Sequence, residues 1–230
     1  MNPAANTNPF KNLLGFANVV DEKGEEMHKS KGNAIEFNEA ADKIGVDIMR
    51  WMYVTQNPEV NLNFGYNVAS DVKKRFYLIL WNSYKFFIDY ASLANWKAGS
   101  VRHLTILDKW ILSRLNHLVL LVNEKLEKYD AATPSRAIED FVVNDFSTWY
   151  IRRSRDRVGP EAEEGDRNTA LSVMYEVLVT ISKLAAPFVP FITEEMYRNL
   201  TNEESVHLQN YPEGEKSLID EKLMPQMIVV

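Results

Sequence analysis

Long stretches of this chain place an apolar residue every three or four positions, and that periodicity confines most of it to packed helices. Val72, Phe76, Leu80, Tyr84 and Phe87 mark the first stretch, over 70–93. Ile111, Leu115, Leu118, Val122 and Leu126 mark the second, over 107–129. Thr133-Pro134 predicts a third helix, an N-cap followed by proline at the first helical position. It runs through Ile138, Phe141, Val142, Phe146 and Trp149 to a cluster of arginines. A fourth helix spans roughly 168–185, is broken by Pro187 and Pro190, and is followed by a last one reaching about Leu200. Aromatic and leucine stripes at this spacing are core positions, so the pattern predicts an antiparallel bundle of about five helices with short connections.

The first 65 residues read differently. The opening dozen, rich in Asn and Pro, reads as poorly ordered. The apolar run Leu13 to Val20 reads as a strand, and Asp21 to Gly24 as a type I turn with glycine at its last position. A second extended piece leads to Met27-His28-Lys29-Ser30-Lys31-Gly32-Asn33. From Ala34 to Gln56 the pattern is helical, broken near Gly45 and ended by Asn57-Pro58. Val46 to Val54 is thus a short helix with Ile48, Trp51 and Met52 on its apolar side.

Composition excludes several classes. With no cysteine among 230 residues there is no disulfide framework and no thiolate metal site. Histidines 28, 103, 117 and 207 share no ligand-like spacing, so no metal site is expected. No apolar run approaches the ~20 residues that cross a bilayer, and no basic-then-apolar leader opens the chain. The net charge of −6 argues against a whole-surface attraction to nucleic acid, because phosphate neutralisation dominates that affinity. Any RNA contact is therefore local. Two basic clusters qualify: Lys73-Lys74-Arg75, and Arg152-Arg153 with Arg155 and Arg157.

The segment 27–33 has a chemistry of its own. Lysine offers a compact ammonium suited to phosphate, Ser30 and the amides around Gly32 add donors, and Gly32 lets the chain turn. By composition alone it also fits a solvated turn, and the spacing of a P-loop is absent. The longer run Glu26 to Asn33 resembles the signature loop of class I aminoacyl-tRNA synthetases, which reads Lys-Met-Ser-Lys-Ser, often continued by x-Gly-Asn. Met27, Lys29, Ser30, Gly32 and Asn33 match, while Glu26 stands at the first lysine and His28 at the first serine. Gly45-Val46-Asp47-Ile48-Met49-Arg50-Trp51 resembles the stem-contact segment that follows the loop.

The resemblance continues through the bundle. Leu107 to Leu115 is similar to the opening helix of the anticodon-binding domain in isoleucyl, valyl and leucyl enzymes. The run Trp149-Tyr150-Ile151-Arg152-Arg153-Ser154-Arg155 resembles the isoleucyl group most closely. Ala186 to Glu195 and Ser205 to Leu208 with Tyr211-Pro212 are further matches. The fold implied is mainly α: a small α/β remnant of a catalytic domain over 1–65, a helical anticodon-binding domain over 66–212, and the start of a further segment over 213–230. The resemblance implies a cytoplasmic, monomeric enzyme that uses ATP with Mg2+ to join isoleucine to its tRNA.

Residue by residue, Lys29 becomes the catalytic lysine that stabilises ATP phosphates, with Met27, His28, Ser30, Lys31, Gly32 and Asn33 around the nucleotide. Glu26 removes one of the two usual charges, and Lys23 and Lys31 are the neighbours able to replace it. Trp149, Arg152, Arg153 and Arg155, with Lys73, Lys74 and Arg75, become the tRNA-binding candidates. The competing reading of Arg152 and Arg153 is pairing with acidic residues of adjacent helices while Trp149 and Tyr150 pack in the core. No His-Ile-Gly-His-type motif and no editing domain is present, so a fragment that does not aminoacylate by itself is expected. The alternatives are the same piece of a valyl or leucyl enzyme, or a non-catalytic tRNA-binding module derived from one.

Overall fold

The structure is a computed structural model that describes residues 11–99 and 103–223. The poorly ordered reading of the opening residues falls largely on 1–10, and the end of the further segment expected over 213–230 falls on 224–230; both lie outside the described residues.

Strand β1 (Val19–Val20) pairs in parallel with β2 (Leu62–Asn63), Val19 opposite Leu62. Parallel strands need a long crossover. Here it carries α1 (Phe37–Ile44) and α2 (Val46–Val54), divided at Gly45, whose φ of 95° suits only glycine. The strand expected over 13–20 is confined to its last two residues, because β2 reaches only those. Leu13 and Phe16 stand 81% and 80% exposed instead. The turn at 21–24 is as expected: the Gly24 amide donates to the Asp21 carbonyl at 3.0 Å and Gly24 has φ 83°.

The bundle begins with α3 (66–93), in which Tyr66–Val72, a wide π turn Lys73–Tyr77 and Leu78–Leu93 form one continuous rod. Val72, Phe76, Leu80, Tyr84 and Phe87 are all buried, as their spacing requires. Helix α4 (Ile106–Glu127) starts at a capping box: the Thr105 hydroxyl accepts from the Asp108 amide, and Asp108 accepts from the Thr105 amide. Helix α5 (132–158) joins Ala132–Asp140, π-helical Phe141–Ile151 and Arg152–Val158. Thr133 is not its N-cap. The helix starts at Ala132, and the Asp130 carboxylate accepts the Thr133 amide at 3.0 Å, so an acidic side chain just outside the helix serves the free N–H. Helix α6 (Glu164–Ala185) is capped by Glu163, and α7 (Pro190–Thr201) has proline in its first turn.

Side-chain pairs set the directions. Arg75 meets Glu139 and Arg155 lies over Phe86, so α3 and α5 run parallel. Arg114 meets Asp145 and Asp108 meets Tyr150, so α4 runs antiparallel to α5. Phe87 packs on Tyr175, and the short 159–163 turn returns α6 antiparallel to α5. The result is an up-down-up-down bundle. The N-terminal segment sits at the end where α5 begins and α6 finishes: Ser135 Oγ donates to the Val54 carbonyl at 3.1 Å, and Arg50 reaches the Pro187 and Phe188 carbonyls.

After α7 the chain runs back along α4. Asn123 Nδ2 donates to the Pro212 carbonyl at 2.9 Å, and the Asp220 amide donates to Ser113 Oγ at 2.8 Å. Gly214 lies between them, where an added Cβ would stand 2.8 Å from Leu120 Cγ.

Candidate nucleotide loop and nucleic-acid surface

Residues 26–33 form an exposed loop closed at its base by side chains. Asn33 Oδ1 accepts the His28 amide at 2.9 Å, while Asn33 Nδ2 donates to the Glu26 carbonyl at 3.2 Å and to Asp21 Oδ2 at 2.9 Å. The other Asp21 oxygen accepts the Lys23 and Glu25 amides, both at 2.9 Å. The Asn33 hydrogen bond, with those amides, holds the Asp21 carboxyl below the usual carboxylate range. Above this base, Lys29–Lys31 make one tight 3-10 turn ended by Gly32 at φ 70°. Lys29, Ser30 and Lys31 all point into solvent, and none of the ion pairs found among the described residues involves Lys29. His28 Nε2 lies 3.4 Å from Glu26 Oε2, so the two residues that depart from the signature pattern face each other.

The loop candidates thus separate into two groups. Lys29, Ser30, Lys31 and Gly32 form the free apex, where phosphate can approach. Asn33 uses its amide group inside the loop, and Met27 is partly buried against the core. No three His, Cys, Asp or Glu residues converge to hold a metal among the described residues. The side chains of this loop do not fit a Mg2+ site.

The segment Gly45 to Trp51 makes the joint to the bundle. Asp47 is 5% exposed and accepts the Phe191 and Ile192 amides at 3.2 and 2.7 Å, capping α7. Burial raises its carboxyl above the usual range, against those two amides. Arg50 donates to the Phe188 carbonyl at 2.9 Å and the Pro187 carbonyl at 2.6 Å, just beyond the negative end of α6. Trp51 stacks on Phe76 at 4.0 Å and donates through Nε1 to Glu139 at 2.9 Å. Glu139 also accepts from Arg75. Two motifs far apart in sequence therefore meet, and Arg75 is tied into their joint while Lys73 and Lys74 stay exposed.

The arginine cluster lies elsewhere. Arg153 is 14 positions beyond Glu139 on α5, on the order of 20 Å along the axis. Arg152, Arg153 and Arg155 are exposed. The Arg153 guanidinium lies over the half-buried Trp149 ring at 4.0 Å, a cation–π layer with Trp110 on the inner side at 6.5 Å. Arg155 lies 5.9 Å over Phe86. Tyr150 and Arg157 turn inward. Asp108, fully buried, accepts Tyr150 Oη at 2.6 Å and both terminal Arg157 nitrogens at 2.8 and 2.9 Å. Arg157 also donates to Asp166, Nη2 to Oδ1 at 2.7 Å. Burial pushes the Asp108 carboxyl up, but Arg157, Tyr150 and Thr105 hydrogen bonds outweigh it and hold it below the usual range. Acidic pairing in this cluster thus falls to Arg157, which leaves its three neighbours on the surface.

Two family profiles match separate parts of the chain. The family profile described as the anticodon-binding domain of tRNA ligase matches residues 108–229. The chain belongs to that family. A second profile, tRNA synthetases class I (I, L, M and V), matches residues 3–64. The isoleucine–tRNA ligase of Thermus thermophilus is 39% identical over 96% of this chain, and that of Dehalococcoides mccartyi 42% over 93%. The chain spans 22% of the length of each. Among solved structures, a Mycobacterium tuberculosis methionyl-tRNA synthetase with methionyl-adenylate gives a TM-score of 0.69 at 17% identity, over 78% of this chain and 36% of its own. A LeuRS–tRNA–LeuAMS complex from Agrobacterium radiobacter K84 gives 0.64 at 17%, over 88% and 24%. These two likenesses show the fold alone.

Two parts of this arrangement have no local signal: the Asp21 bond to Asn33 spans 12 positions, and the Glu139 partners Trp51 and Arg75 lie 88 and 64 positions away. Asp108 had one, since Thr105-x-x-Asp108 before an apolar run spells a capping box.

Proposed function

We propose that this chain supplies the ATP-phosphate loop and the tRNA-recognising bundle of an isoleucine–tRNA ligase, a cytoplasmic, monomeric enzyme that activates isoleucine with ATP and transfers it to tRNA. The observation that carries the reading is the identity of 39–42% with isoleucine–tRNA ligases over nearly the whole chain, joined to an exposed apex that presents Lys29. In the activation step Lys29 offsets negative charge developing on the phosphates, from a loop able to close on the nucleotide. Lys31 is the apex lysine placed to replace the charge missing at Glu26. The domain division is 1–65 for the catalytic part, 66–212 for the anticodon-binding bundle and 213–230 for the start of a following segment.

For tRNA, the candidates are Arg152, Arg153 and Arg155 at one end of α5 and Lys73, Lys74 and Arg75 near the other. The outermost layer over Trp149 is Arg153, so an unpaired base stacks first on a guanidinium plane. Titration of the chain with isoleucine tRNA at two salt concentrations, beside a tRNA altered only in its anticodon, tests this reading. Anticodon-dependent binding is expected. Equal and steeply salt-sensitive binding to both would refute recognition by this bundle.

A further inference from the structure

Two adjacent carboxylates in the turn before the loop face opposite ways. Asp21 faces the loop and holds its base through Asn33, Nδ2 to Oδ2 at 2.9 Å. Glu22 faces the bundle. Its Oε1 accepts the Asn67 and Val68 amides at 2.6 and 3.0 Å, and its Oε2 accepts Asn67 Nδ2 at 2.8 Å. These are the free N–H groups of the first turn of α3. The approach needs a residue without a side chain at 65: a Cβ on Gly65 would lie 2.2 Å from Glu22 Cγ. One peptide unit therefore separates the carboxylate hydrogen-bonded to the loop base from the carboxylate hydrogen-bonded to the first bundle helix.

We propose that Asp21, Glu22 and Asn33 are positioning residues that fix the base of the phosphate loop to the N-terminus of α3, so that displacement of α3 is transmitted to the loop. The proposal rests on the nucleotide role assigned to the loop above, and it deepens that role. Asn33 then acts by holding the loop, not by touching phosphate. Closure on a nucleotide takes place in residues 27–32, above the clasp. The helix that receives Glu22 is also the one that carries Lys73 and Lys74, so a ligand pulling on that helix bears on the base of the apex loop through the Glu22 hydrogen bonds, one peptide unit and the Asp21–Asn33 hydrogen bond.

Amide hydrogen exchange on the whole chain, read at His28 and at Asn67 and Val68, tests this without any nucleotide. Asn33→Asp sets two carboxylates against each other and is expected to speed His28 exchange about tenfold, the size of one lost hydrogen bond. Adding Asp21→Asn restores a donor opposite an acceptor and should recover most of that protection; no recovery would overturn the clasp. Gly65→Ala expels Glu22 and is expected to speed exchange at Asn67 and Val68 and, across the junction, at His28 by at least threefold. Glu22→Gln, which keeps the shape but weakens acceptance at the amides, should do the same to a smaller degree and serves if Gly65→Ala does not fold. His28 exchange unchanged in the folded variants would show that nothing crosses the junction and would overturn the proposal. Whether the chain binds ATP is a separate titration, so failure of the nucleotide reading is distinguishable from failure of the junction.

Discussion

Asp108→Asn is the substitution whose consequence can be worked furthest. The carboxylate is fully buried and accepts from the Thr105 amide and hydroxyl, the Tyr150 hydroxyl and two Arg157 nitrogens. Asparagine keeps the shape, removes the charge, and turns an NH2 group toward donors. Breaking a buried ion pair from one side costs about 3–5 kcal/mol, because the other charge is left uncompensated. Arg157 retains Asp166, which is partly open to solvent, so the lower end of that range, about 3 kcal/mol, is expected. For a domain of this size that lowers Tm by roughly 6–12 °C. The pH dependence gives a second, independent sign. The folded Asp108 carboxyl lies below its unfolded value of 3.8, so its contribution is present above that value and is lost as pH falls through the lower, folded one. The stability gap between the native chain and Asp108→Asn should therefore be full at pH 6 and shrink below pH 4. Urea melts at pH 6, 4 and 3 measure both quantities. A gap under 1 kcal/mol at pH 6, or one that stays constant into acid, would refute the account of a charged, buried hub.

Other outcomes follow from the same geometry. Arg152→Ala with Arg153→Ala should weaken tRNA binding and flatten the plot of log affinity against log salt by about 0.7–0.9 for each phosphate contact removed, leaving Tm nearly unchanged; an unaltered slope would return both residues to a structural role. Gly214→Ala drives a Cβ to 2.8 Å from Leu120 Cγ and 3.1 Å from the Asn116 carbonyl, which should cost about 1–3 kcal/mol in a urea melt, and a neutral result would show that the return segment is not held against α4. Asp47→Ala removes the cap of α7 and should cost about 1–2 kcal/mol by the same assay, with helicity otherwise preserved by circular dichroism.

The sequence by itself determined the helical periodicity, the break at Gly45, the proline break between α6 and α7 and the turn at Asp21 to Gly24, since each depends on residues within a turn or two of one another. The buried faces of α3 and α4 were legible for the same reason. The start of α5 was misread by a residue or two because Thr133-Pro134 is a good local signal, while the acceptor in use, Asp130, lies outside the pattern. The length of β1 was misread because a strand needs a neighbour, and β2 extends over only part of the apolar run. Only the tertiary structure decided which arginines face solvent. Four arginines within six positions look alike in sequence, yet Arg157 alone meets the carboxylates of Asp108 and Asp166, which come from α4 and α6. Likewise Asp47, Arg50 and Trp51 read as a contact motif, whereas their side chains close on α7, the link between α6 and α7, and α5, far along the chain. Local propensity is written in neighbouring residues; the fate of a buried charge depends on partners that only the packed helices bring within 3 Å.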